Sequence, residues 1–287
     1  GDGEEDWKGN DAVERGNFTW DNGVQDSRVI WNKDENGRFF IKKGCHPPDH
    51  LKNKYEEKYS NGYTGKSPLV KNIGVFGVDP YNRSKNADGR GSKGAIILTT
   101  KPNTEDNFPN DAMILEYIDR PKKVTLFFED VIMASVYFSI PFLSELSNER
   151  FLAYVKDRGY RHYSMNNPFK KWNDLSPTEK EFGGAPQQDS KIGEAQFYAT
   201  ESFVEDHVGV ARDKRFRMLG EMGDMPFSRT LRQLKDVDTT NRTKYDAYIG
   251  FSLSRVGCQK RVIKKKEETE SINIGEIFRT YNNRKTA

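Results

Sequence analysis

The chain has 287 residues, with 46 Lys plus Arg against 43 Asp plus Glu, a net charge of +3. It carries 18 Phe, 13 Tyr and 4 Trp, which argues against disorder, because chains that cannot bury enough apolar area are poor in aromatics. Two cysteines exclude a disulfide scaffold and fit a reducing compartment, and no apolar run reaches the roughly 20 residues that cross a bilayer.

Residues 1–23 are polar and rich in Gly, Asn and Asp, and read as a loose arm with no signal-peptide pattern. Without an initiator Met the chain is expected to be a piece of something longer. Arg28-Val29-Ile30-Trp31 and Arg38-Phe39-Phe40-Ile41 flank Asp34-Glu35-Asn36-Gly37, whose Asn-Gly predicts a β-hairpin. Residues 42–70 read as a polar connector. Ile73-Gly74-Val75-Phe76-Gly77-Val78-Asp79 is a predicted strand cut off by Pro80. Strands over 94–100 and 113–118 follow, completing a meander. Val124, Phe127, Phe128, Val131, Ile132 and Ser135 have the spacing of an amphipathic helix. Pro141-Phe142-Leu143 is a short buried strand ending at Glu145, and 148–158 is a helix stopped by Gly159. Residues 160–188 read as loop, and 192–207, 228–235 and 243–255 as helices. Strands followed by helices describe an α/β protein with a mixed sheet covered by helices. The division expected is an arm, hairpin and connector over 1–70, a compact domain over 71–257 and a polar tail over 258–287.

Several patterns fail on context. Gly89-Arg90-Gly91-Ser92-Lys93-Gly94 matches GxGxxG, but a strand follows where a dinucleotide site needs a helix start. Gly65-Lys66-Ser67 has Ser60 where a P-loop needs Gly, so no ATPase motif is present. Cys45, His46 and His50 fall short of four zinc ligands and read as surface loop residues.

Three acids stand among apolar neighbours. Alternation puts Ile73, Val75, Gly77 and Asp79 on one face. Glu145 shares a face with Leu143, and Asp246 lies at i−3, i−4 and i−7 from Ile249, Gly250 and Leu253. Taken singly, each reads as a cap or strand-end ion pair. Together, converging carboxylates repel unless cations sit between them, and hard oxygen ligands suit Mg²⁺ or Mn²⁺.

Gly77-Val78-Asp79-Pro80-Tyr81 with Gly91-Ser92-Lys93-Gly94-Ala95, then Pro141-Phe142-Leu143-Ser144-Glu145-Leu146-Ser147-Asn148, then Asn241-Arg242-Thr243-Lys244-Tyr245-Asp246-Ala247 resemble, in order and spacing, the nuclease domain of tailed-phage terminase large subunits, the crAss-like phage type above all. The resemblance implies an RNase H-like fold, with the 28–41 hairpin as an N-terminal extension. It also implies an endonuclease that cuts concatemeric double-stranded viral DNA with two Mg²⁺ or Mn²⁺ ions. Asp79, Glu145 and Asp246 would be the metal-binding catalytic acids, with Asp88 a weaker transfer. Tyr245 precedes Asp246 where one variant of the family has a second acid. Lys93 and Lys244 are candidates for phosphate contact near the scissile bond. Lys170 and Lys171 beside Trp172, and Arg215 and Arg217 beside Phe216, are candidate DNA contacts with aromatics interleaved. The implied partners are the packaging ATPase domain, the portal and the small terminase subunit. The implied location is the infected bacterial cytoplasm, at the procapsid. The competing readings are a junction resolvase or transposase, and a non-catalytic DNA-binding assembly module.

Overall fold

The computed structural model describes residues 12–69, 73–81, 92–102, 108–146, 149–186, 190–208, 225–237 and 245–267. Its centre is a mixed seven-stranded sheet. The strands are β1 (Val13–Trp20), β2 (Val29–Lys33), β3 (Phe39–Lys42), β6 (Gly74–Asp79), β7 (Gly94–Thr100), β8 (Met113–Asp119) and β9 (Phe142–Ser144). Their order is β2-β1-β3-β8-β7-β6-β9. β4 (Tyr55–Ser60) and β5 (Tyr63–Pro68) form a separate two-stranded sheet. Every pairing in the large sheet is antiparallel except β6 with β9.

Helices cover both faces. α1 (Val124–Phe138) and α2 (Glu149–Asp157) lie on one side, where Phe76, Val78, Ile96 and Leu98 pack with Phe127, Phe128, Phe138 and Phe151. α4 (Ser190–His207), α5 (Ser228–Asp236) and α6 (Asp246–Glu267) lie on the other. There Val75 and Leu143 meet Ile249 and Leu253, and Ile97 and Met113 meet Phe203 and Phe251. α3 (Pro177–Phe182) is a short helix opened by a capping box between Ser176 and Glu179. The predicted α/β sheet flanked by helices is therefore observed, and the 73–79, 94–100, 113–118 and 124–135 elements fall where their apolar runs placed them.

The N-terminal region differs from expectation. Residues 13–20 are no loose arm but a strand, whose Phe18 packs against Trp31, Phe39 and Tyr137. Residues 29–33 and 39–42 do not pair as a hairpin. β1 lies between them, and the Asp34–Gly37 turn carries the chain across it. The crossing is tight: a Cβ on Gly37 would stand 2.4 Å from backbone atoms of Gly16. The β1–β3 strands thus extend the same sheet that holds β6–β9. Within the expected connector, the β4–β5 hairpin turns at Asn61 and Gly62, both at positive φ as its two-residue turn requires. At the other end, α6 continues past Gly257 to Glu267.

Buried charge ties these layers together. Arg38 on the crossover donates to both oxygens of Asp130 on α1 at 2.8 Å. Asp130 is fully buried, and that burial pushes its carboxyl up to about 6 against the pull of Arg38. Arg38→Ala should therefore cost about 3–5 kcal/mol at pH 8, because it leaves a buried charge uncompensated. The loss should be smaller at pH 5, where a neutral Asp130 is cheaper to bury; urea denaturation at the two pH values measures both.

Candidate carboxylate site

β6 and β9 run parallel, with Gly77 opposite Leu143 and Val78 opposite Ser144. The next residues along, Asp79 and Glu145, therefore stand level at the ends of neighbouring strands, about 4.8 Å apart in backbone terms. The two-residue period gives them the face that carries Gly77 and Leu143, against which α6 packs. Asp246 is the first residue of α6. The helix comes this close because Gly77 has no side chain: a Cβ there would stand 1.8 Å from the Gly250 carbonyl oxygen. Ser254 fastens the contact, donating to the Val75 carbonyl at 2.6 Å and accepting from the Thr99 amide at the β7 bulge.

Asp79 feels the other two acids. Burial pushes the half-buried Asp79 carboxyl well above the ordinary range, and the charges of Glu145 and then Asp246 push it further. Among the described residues no hydrogen bond or cation offsets this. Glu145 is buried, and its backbone bridges to Ala185. Burial also raises Asp246, opposed by Ser92, by the Lys93 amide and by the charges of Lys93 and Arg120.

Asp246 is already engaged. Ser92 Oγ donates to one of its oxygens, and the Lys93 amide donates to the other at 2.9 Å. Arg120 Nη1 in turn holds the Ser92 carbonyl at 2.7 Å and lies over the Tyr81 ring. Among the described residues, no three Asp, Glu, His or Cys side chains are arranged as they stand to hold a metal ion. A hard cation nonetheless suits the donor set, three carboxylates of which one is destabilised by the other two. Asp79 and Glu145 stand level on neighbouring strands, while both oxygens of Asp246 are engaged by Ser92 and the Lys93 amide.

The other candidates divide. Lys93 and Lys171 are exposed. Lys170 is engaged elsewhere, its ammonium bonded to both oxygens of buried Glu179 at 2.9 and 3.0 Å. Asp88, Lys244, Arg215 and Arg217 lie outside the described residues. Cys45 and His46 are not free loop residues: Cys45 is buried, and the His46 ring bonds Glu14 and the Tyr137 hydroxyl. Ser92 and Arg120 escaped the sequence reading. A polar residue before a strand and an Arg after one carry no periodicity signal.

Comparison with protein-family models, with curated proteins and with solved structures finds no match. Among the described residues no helix is long and apolar enough to cross a membrane.

Proposed function

We propose that this chain is a metal-dependent endodeoxyribonuclease with an RNase H-like core, the nuclease domain of a tailed-phage terminase large subunit. One observation carries the reading. A carboxylate at the end of a buried strand is raised by burial and by two further acids, with nothing positive against it among the described residues. Such an arrangement is costly by itself and becomes favourable with divalent cations between the acids. The β8-β7-β6-β9 order, an antiparallel meander with a parallel fourth strand beside its first-in-sequence member, supports the RNase H-like assignment.

Bound Mg²⁺ or Mn²⁺ would supply charge neutralisation and Lewis-acid polarisation of the scissile phosphodiester. Asp79 would be shared between two ions, with Glu145 and Asp246 each holding one. Ser92 and the Lys93 amide hold the Asp246 carboxylate at the start of β7, with Arg120 on the Ser92 carbonyl, and Asp246 would have to leave Ser92 to reach an ion. The exposed Lys93 would face phosphate oxygens. Contacts of this phosphate-directed kind give cleavage with little sequence preference. On this reading the substrate is concatemeric double-stranded viral DNA in the infected bacterial cytoplasm. The partners are the packaging ATPase domain, the portal and the small terminase subunit, at the procapsid.

The engagement of both Asp246 oxygens favours one competing reading, a DNA-binding module that keeps the fold without catalysis. Supercoiled plasmid separates the two. The purified chain should convert it to nicked and linear forms in Mg²⁺ or Mn²⁺ and leave it intact in EDTA. Plasmid retarded in a gel but uncut in both metals would overturn the nuclease reading. Preferential cutting of a four-way junction over duplex would move the assignment to a resolvase.

A further inference from the structure

The two neighbours of β6 divide the acids between them. Glu145 follows β9 on one flank of β6, and β7 lies on the other. Asp79 pairs with Ala95 of β7, so Ser92 and Lys93, just ahead of that strand, stand on the flank away from Glu145. Asp246 is drawn to that flank. Ser92 Oγ donates to one of its oxygens, and the Lys93 amide donates to the other at 2.9 Å. A donor turns a partly positive hydrogen towards the oxygen it bonds. An ion entering between Asp79 and Asp246 would therefore compete with two donors for one carboxylate. Of the two, Ser92 Oγ is the one that a side-chain rotation can remove.

Ser92 is itself held. Arg120, the residue after β8, donates from Nη1 to the Ser92 carbonyl at 2.7 Å. Its guanidinium lies over Tyr81, 5.3 Å from the ring centroid, and the Tyr81 hydroxyl donates to the Pro121 carbonyl at 2.6 Å. Arg120 is only half-buried, and the carbonyl it holds is neutral. A phosphate is charged, makes shorter and stronger bonds to a guanidinium, and can take two of its nitrogens at once. Arg120 thus stands where an incoming phosphodiester would draw it from Ser92.

We propose that Ser92 is a latch on the carboxylate site: in the free chain it withholds Asp246 from a divalent cation, and a DNA phosphate taken by Arg120 releases it. The identity of the releasing phosphate rests on the nuclease reading. The competition between Ser92 and a cation for Asp246 does not; it needs only that the acids bind metal. Two consequences follow from the arrangement. The metal affinity of the free chain is lowered by the fraction of molecules that are latched. Metal and DNA also strengthen each other's binding, because each favours the open latch.

Mn²⁺ binding to the full chain without DNA, read from the electron paramagnetic resonance signal of free Mn²⁺, tests the latch. Ser92→Ala should bind Mn²⁺ about tenfold more tightly than wild type. Ser92→Thr keeps the hydroxyl and should match wild type. In an Asp246→Asn background, Ser92→Ala should change nothing, because the carboxylate it frees is gone. Weaker or unchanged Mn²⁺ binding by Ser92→Ala, at an unchanged Tm, would overturn the latch and leave Ser92 as a support for Asp246. Fluorescence anisotropy of a labelled duplex, recovered intact after titration in Ca²⁺ and in EDTA, tests the release. Wild type should bind the duplex about tenfold more tightly in Ca²⁺, and Arg120→Ala should shrink that ratio at least threefold. Equal ratios in the two proteins would overturn the part given to Arg120. Plasmid cleavage by the wild-type chain in Mn²⁺ is scored separately. No cutting, with tighter Mn²⁺ binding by Ser92→Ala, removes the nuclease reading and leaves the latch; cutting, with unaltered Mn²⁺ binding by Ser92→Ala, does the reverse.

Discussion

Asp79→Asn is expected to reduce metal-dependent DNA cleavage about a thousandfold or more, while raising the melting temperature of the metal-free chain at neutral pH. The first effect follows from removing the ligand that two ions would share, since metal stabilisation of a phosphodiester transition state amounts to several kcal/mol. The second follows from linkage. The Asp79 carboxyl is raised in the fold by burial, by Glu145 and by Asp246, so the folded state favours its proton. The penalty is absent below the ordinary Asp value of 3.8. It grows as pH rises above that value and is complete above the raised folded one. Metal-free wild-type protein should therefore lose stability across that rise, and Asp79→Asn should flatten the loss. Asp246 is raised in the same direction and adds to the trend. Mn²⁺ should raise the wild-type Tm more at pH 8 than at pH 5, and should do little for the variant. Each kcal/mol recovered corresponds to about 2–4 °C in a domain of this size. Differential scanning fluorimetry over that pH range, with and without Mn²⁺, reads all of these. An Asp79→Asn variant that cuts at the wild-type rate, or melts below wild type without metal, would refute the assignment of Asp79.

Gly77→Ala should be among the most damaging single substitutions in the chain, and Gly250→Ala among the mildest, although the two residues touch. A methyl at 77 would stand 1.8 Å from the Gly250 carbonyl oxygen and 2.4 Å from the Ser254 amide nitrogen. Both are backbone atoms within α6 and cannot swing aside as a side chain would. Overpacking of this kind costs about 3 kcal/mol or more, and relief requires lifting α6 off the sheet. A methyl at 250 would stand 3.2 Å from Ala95 Cβ and Ile97 Cγ1. That is a contact short by a few tenths of an ångström, in which Ile97 can turn though Ala95 cannot, and it is offset by about 1 kcal/mol of helix propensity. Urea denaturation should show the contrast directly. Because Asp246 opens α6, cleavage should fall with stability in the first variant and persist in the second. Equal stabilities for the two variants would show that the helix does not cross the sheet where the glycines meet.

Much of the fold was legible locally. β6, β7, β8 and α1 are read from unbroken apolar runs or i, i+3, i+4 spacing, and burial on both sheet faces is the reason such runs exist. The strand β1 was not legible: it buries Gly16 and Phe18 but has Asn17 between them and Glu14 and Arg15 just before, and its partners lie on either side of it. The Asn36-Gly37 signal indicated a turn correctly but not its destination, because a tight turn limits φ and ψ without choosing which strand fills the neighbouring place.

The same division runs through the candidate site. Sequence periodicity alone selected Asp79, Glu145 and Asp246, since the face on which a residue lies is a property of its own strand or helix. Tertiary structure alone set Asp79 level with Glu145 and tied Asp246 to Ser92 and Lys93. Those are matters of distance and field, summed over residues far apart in the chain, and no local pattern encodes such a sum.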